Sequence, residues 1–268
     1  MTQGSSSTQV VSPRVNVSFL QSFQITHGPV GLLGRFFLNA DRDLREAGIE
    51  LSFATFEEVA DVQKDSIESW PLMNPMFDPA VAELRAHETF CIVGRKASGQ
   101  IVATCSGKYL NATTRSFAEI VNAGDFFSVR PERNDNNYQT RMVSALADKM
   151  HGHLGYSGGL WIHPDTRGLR LPATFCRLVT ATMLTLWNVD YTLGLLDKKF
   201  IGSAYHKRYG YRHEEPTLTF TGNGKTLLEA MLLWMTADET VEDLVEFLDI
   251  LWPEINPAVV RRRGHHTA

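Results

Sequence analysis

The sequence predicts an α/β protein, and three observations carry that expectation. Short apolar runs of strand length alternate with longer amphipathic stretches along most of the chain. Two of the runs, TFCIVGR from Thr89 and IVATCSGKYL from Ile101, flank Lys96-Ala97-Ser98-Gly99-Gln100, as the arms of an antiparallel hairpin flank a turn. A third, SGGLWI ending at Ile162, leads through a tight loop, HPDTRGLRLP, into a helix-forming segment.

In chain order, residues 1–46 predict an N-terminal arm: a Ser/Thr/Gln stretch followed by apolar residues between Gly and Pro breakers. From Ile49, IELSF alternates like a strand, and Thr55 with Glu58 forms a capping-box signature for a helix over FEEVADVQKDSIESW. A turn-rich link, PLMNPMFDP, precedes a short helix expected near Val81 to Ala86 and then the hairpin. Residues from about 111 to 155 predict an insertion, in which SFAEIVNAGDFF fits a helix or a strand and RPERNDNNYQTR is strongly polar. After SGGLWI, the segment TFCRLVTATMLTLW predicts a helix whose Leu171, Phe175, Leu178 and Val179 share a face. YTLGLL predicts a strand, KKFIGSAYHKRY a helix ended by Gly210, and RHEEPTLTF a strand. Leu227 to Met235 and Val241 to Leu251 predict two amphipathic helices before the basic tail RRRGHHTA. The expected division is therefore an arm over 1–46, a domain over 47–221 and C-terminal helices with the tail over 222–268.

The 268 residues fit one large or two small domains, with 43% hydrophobic and 21% charged residues. A net charge of −4 gives no global field for nucleic acid. No apolar run approaches the roughly 20 residues that span a bilayer, and MTQGSSSTQVV lacks a basic region before an apolar stretch. Cys91, Cys105 and Cys176 have neither disulfide-framework nor metal-ligand spacing, so reduced buried thiols in the cytoplasm are expected, with no nucleic-acid or membrane partner. Gly224-Lys225-Thr226 is no phosphate loop, because Thr219 stands where its first glycine belongs. His151, His153, His265 and His266 have no carboxylate or Cys at ligand spacing, and no metal is expected.

Chemistry concentrates between Leu160 and Phe175, where a strand enters a helix N-terminus through a loop holding Arg167 and Arg170. Free backbone N–H groups, the positive helix end and two guanidinium groups suit an anion such as a pyrophosphate. Pro172 sits in the first helical turn, where proline is tolerated.

With these residues and the order of elements around them, the segment from Ile49 to Phe220, roughly two thirds of the chain, resembles the GNAT superfamily of acyl-CoA-dependent N-acyltransferases. That family's loop runs Arg or Gln, two residues, Gly, one residue, Gly or Ala. Arg167 matches its first position, while Arg170 and Pro172 stand where the two small residues are expected. The segment Gly202 to Tyr211 is similar to the family's closing helix, with Gly210-Tyr211 at its Gly-Phe end, while Lys199 stands where the family often has an Asn. The resemblance implies a mixed, mostly antiparallel sheet flanked by helices on both faces, with an N-terminal arm and a C-terminal helical extension. It implies acetyl-CoA or another acyl-CoA as co-substrate, held by Trp161, Ile162, His163, Arg167, Gly168, Leu169, Arg170 and Leu171. It also implies a small-molecule or peptide amine as acceptor, a possible homodimer, and His206, or Tyr205 in the neighbouring register, as the acid that protonates the departing thiolate. Glu119 is available as a base. Two alternatives stay open: an acyl-homoserine-lactone-synthase-like enzyme that docks acyl carrier protein on Lys207, Arg208 and Arg212, and a non-catalytic GNAT-like assembly module.

Overall fold

An eight-stranded sheet in the order β1-β2-β3-β5-β6-β8-β7-β4 organises the chain. The strands are β1 (Glu50–Ala54), β2 (Thr89–Arg95), β3 (Ile101–Ala112), β4 (Gln139–Met142), β5 (Gly152–Ile162), β6 (Tyr191–Asp197), β7 (His213–Gly222) and β8 (Lys225–Thr236). Every pairing is antiparallel except β5 with β6. The helices are α1 (Val30–Glu46), α2 (Phe56–Asp65), α3 (Phe117–Asn122), α4 (Leu171–Trp187), α5 (Tyr205–Arg208) and α6 (Ala237–Leu251). A computed structural model describes residues 18–22, 24–127 and 137–252; the Ser/Thr/Gln start and the basic tail lie outside them.

Two apolar layers sandwich the sheet, because central strands bury both faces. On β2, Phe90 and Ile92 join α1, α4 and α6, while Cys91 and Val93 join α2 and α3 on the opposite side. Helix α4 lies across β3 and β5. The mixed, mostly antiparallel sheet flanked by helices is therefore present as expected. Thr55 caps α2 by accepting from the Glu58 N–H at 3.2 Å. The Glu58 carboxylate completes no box; it takes a two-pronged bond from Arg95 at 2.7 and 2.9 Å, tying α2 to β2.

Several local expectations are corrected. Leu227 to Met235 is not a helix but most of β8, paired on one side with β6 and on the other with β7. Its Ala230 to Leu233 are buried on both faces, and such a continuous apolar run carries no period that separates strand from helix. Asn223 and Gly224, both at positive φ, make the two-residue turn from β7, so the apparent turn before a helix is a hairpin. The N-terminal arm contributes α1, whose Leu33, Phe36, Phe37, Ala40 and Leu44 are core residues. Gly31 and Gly34 masked that helical spacing. The expected insertion carries α3 and β4, and its ends belong to β3 and β5. Val81 to Ala86 forms no helix. KKFIGSAYHKRY forms a 3-10 turn, Lys198–Phe200, and the four-residue α5.

Candidate active site

The parallel pairing of β5 with β6 covers only Leu154 to Ser157 against Tyr191 to Gly194. Beyond it the strands part: Leu195 to Asp197 stay with β8, and β5 stays with β3. One extra residue on β5 bends it away, since Ser106 faces Gly158 and Thr104 already faces Trp161. Gly159 occupies this bulge at φ +63°, a conformation that costs glycine little. Backbone groups alternate between the two edges of a strand. The His163 N–H donates to Val102 O at 2.8 Å, so His163 and Trp161 are spent on β3, and Leu160 and Ile162 turn their N–H and C=O to the gap.

At the far end of β5 the loop reaches α4. Gly168 and Arg170 both take positive φ, +100° and +56°. Among the described residues, no hydrogen bond engages the amides of Gly168, Leu169 or Arg170, and neither Arg167 nor Arg170 has an ion-pair partner. A cleft of about 660 Å³ opens there, walled by Ile162, Arg167, Gly168, Arg170, Pro172 and Ala173 from one side and by Phe200, Tyr205, Arg208 and Tyr209 from the other. Three cationic side chains, unengaged amides and the N-terminal end of a 17-residue helix give this cleft a chemistry suited to a polyanion.

Further back on β5 lies a second cavity of about 530 Å³, which takes in Ser157 to Leu160 and the facing residues Gly194 to Asp197. Tyr209 lines both spaces. Burial pushes its hydroxyl up to about 12, so it keeps its proton at neutral pH. Tyr209 stacks on Tyr205, with ring centres 5.7 Å apart. Asp197 is the carboxylate in the lining of the second cavity; burial works to raise it, but bonds from the Lys199 backbone and ammonium outweigh this and hold it below the usual carboxylate range.

The sequence-derived candidates divide accordingly. Ile162, Arg167, Gly168, Arg170 and Tyr205 line the cleft together. Leu171 is 1% exposed and Trp161 stacks on Trp70 in the core, so neither side chain faces the cleft. Leu169 is exposed outside it. His206 also lies outside the lining: its Nδ1 is 2.8 Å from the Glu214 carboxylate on β7. Glu119 is taken up in a capping box with Ser116, whose backbone N–H and hydroxyl hold the carboxyl below its ordinary range, a poor setting for a base. Of the basic cluster, Arg212 is neutralised by Glu242 and Glu246. Phe200 and Tyr209 were missed, and Arg208 was expected in a docking patch rather than in this cleft; they sit in a segment already singled out, but which of its side chains turn inward depends on the short helix α5. All three cysteines are free and buried. Among the described residues no three potential ligands cluster for a metal, and no helix is long and apolar enough to cross a membrane.

No family model and no curated protein matches the sequence. Solved structures similar to the chain include the ribosomal-protein-S5-alanine acetyltransferase of Vibrio fischeri, at 11% identity and TM-score 0.40 over 71% of this chain and 94% of that one. A spermidine/spermine N-acetyltransferase of Vibrio cholerae matches at 7% identity and TM-score 0.41 over 73% and 98%. An acetyltransferase of the GNAT family from Streptococcus pneumoniae matches at 8% identity and TM-score 0.38 over 70% and 98%.

Proposed function

We propose that this chain is a GNAT-type N-acyltransferase that moves an acyl group from a CoA thioester to an amine. The observation that carries this reading is that the cationic cleft and the second cavity both lie along β5 and share Tyr209 in their linings. A cationic cleft at the N-terminus of α4 suits the pyrophosphate. The unpaired β5 edge at Leu160 and Ile162 suits the amide-bearing pantetheine arm, which would add to it as a peptide adds to a sheet edge. The arm then ends at Tyr209, whose retained proton suits a donor to the leaving sulfur. The acceptor amine reaches the thioester at the rim of the second cavity, having lost its ammonium proton to water.

Calorimetric titration with CoA tests the reading, and Arg167→Ala should weaken binding by about tenfold or more, the loss of one charge-assisted bond to phosphate. Failure of the parent protein to bind CoA would remove the reading; equal binding by the variant would remove Arg167 from it. Pro172 lines the cleft at the second position of α4 and has no N–H to offer. Pro172→Ala adds a donor at the helix N-terminus and should tighten CoA binding, measured by the same titration. Weaker binding at undiminished melting temperature would put the phosphates elsewhere.

A further inference from the structure

The cavity beyond Tyr209 is far larger than an acetyl group needs. Its volume, about 530 Å³, falls within the roughly 300–1,000 Å³ of pockets that enclose whole small molecules. Its walls are mainly aliphatic and aromatic, with Trp70, Met73, Phe127, Leu195, Phe220 and Leu228 among them. The polar groups in the lining are largely committed to one another. The Asn74 amide donates to the Tyr156 hydroxyl at 3.3 Å, the Tyr211 hydroxyl donates to Leu193 O at 2.8 Å, and Ser157 Oγ lies 3.6 Å from Cys105 Sγ. Lys199 lies 2.8 Å from Asp197. An ammonium group carried into this space would lose its water without an uncommitted carboxylate in return. A hydrocarbon chain loses nothing there and gains with every methylene it buries.

We propose that this cavity receives the acyl chain of a medium-chain acyl-CoA, so that the enzyme is an acyltransferase for chains of about octanoyl length rather than for acetyl groups. The inference rests on the acyl-CoA reading. Two features assign the space to the donor's chain instead of an apolar acceptor. The cavity shares Tyr209, beside which the thioester would lie, with the CoA cleft, and the two spaces are lined by successive positions of β5, Ile162 for the cleft and Leu160 back to Ser157 for the cavity. A chain extending from a thioester beside Tyr209 would then lie along β5. The acceptor amine then approaches at the rim, where the exposed Leu72 and the Asp197 and Lys199 pair meet solvent.

Calorimetric titration of CoA, acetyl-CoA and octanoyl-CoA, each below its micellar concentration, separates the possibilities without a known acceptor. Octanoyl-CoA should bind about tenfold or more tightly than acetyl-CoA. Leu195→Trp, which fills the cavity, and Leu228→Gln, which makes its wall polar, should each remove most of that gain while leaving the affinity for CoA near that of the parent. Retained CoA binding shows that the variants fold. Equal affinity for acetyl-CoA and octanoyl-CoA, or a gain that survives both substitutions, overturns the acyl-chain assignment while the acyl-CoA reading stands; in the first case the space is left to an apolar acceptor. No binding of CoA itself by the parent overturns the acyl-CoA reading and this inference together.

Discussion

Arg177→Met is expected to lower the free energy of unfolding by about 3–5 kcal/mol, the cost of leaving a buried carboxylate without its partner. Arg177 Nε and Nη2 reach the two oxygens of Asp243 at 2.7 and 2.8 Å and so join α4 to α6. Nη1 donates to the carbonyls of Ala173 and Arg208, and the guanidinium lies 4.1 Å from the centre of the Phe247 ring. The two side chains are only 8% and 12% exposed, so water cannot take over these contacts. Burial pushes the Asp243 carboxyl up even beside a cation, which marks the desolvation as large and the net value of the intact pair as small. The double variant Arg177→Met/Asp243→Leu should therefore recover most of what either single change loses. Urea denaturation reads all three proteins, and a loss of less than about 1 kcal/mol for Arg177→Met, the range of exposed pairs, would mean that the pair is solvated. The same substitution should weaken CoA binding, because the bond to Arg208 O holds the segment bearing Arg208 and Tyr209 against α4.

That tether also explains Gly210, which reads in the sequence only as a helix terminator. Its φ is +97°, and a Cβ there would stand 2.7 Å from Asp243 Oδ2 and 3.3 Å from the Arg177 guanidinium. The glycine allows α5 to close onto the ion pair, and no local pattern announces this, because Asp243 is 33 residues further on. The central layout was legible for the opposite reason: β1, β2, β3 and α4 carry periodicity, a hairpin turn and a proline-marked helix start within their own segments. Two further signals were present but unused. Ser116 with Glu119 and Thr236 with Glu239 are capping pairs, both closed in the structure, and they mark α3 and the start of α6. The Asn223-Gly224 pair similarly marks the β7–β8 hairpin. The cationic loop before α4 was legible because charge and helix start are sequence features. The inward-facing residues of Lys198 to Tyr209 could not be, because two short helical turns with Gly202 and Ala204 at positive φ set their directions and no long period applies.

The choice of proton donor follows from those directions, and it carries the largest expected effect on turnover. Counting back from Gly210 selects His206, and the neighbouring register selects Tyr205. The geometry favours a third residue: Tyr209 lines both the cationic cleft and the second cavity, while Tyr205 lines the cleft alone and His206 lies against Glu214. A phenol held near 12 is a weaker acid than a thiol, whose pKa is about 8.5, so it would donate a hydrogen bond to the developing thiolate more readily than surrender its proton. The attacking nitrogen is cationic in the tetrahedral intermediate, and the proton it sheds as the amide forms is the one that the sulfur finally takes. Tyr209→Phe keeps the ring and its stacking on Tyr205 but removes that donor, and kcat should fall by roughly 10²-fold or more with the affinity for CoA unchanged, the signature of an interaction made in the transition state. Tyr205→Phe and His206→Ala should change kcat little, and His206→Ala should instead cost stability through the loss of the contact to Glu214. CoA release from octanoyl-CoA, with a panel of primary amines or with water as acceptor, measures all three. A fall confined to His206→Ala would restore the register counted from Gly210 and require α5 to turn by about 100° per residue of shift on binding substrate. A fall confined to Tyr205→Phe would instead place the sulfur inside the cationic cleft, beside Tyr205 rather than Tyr209.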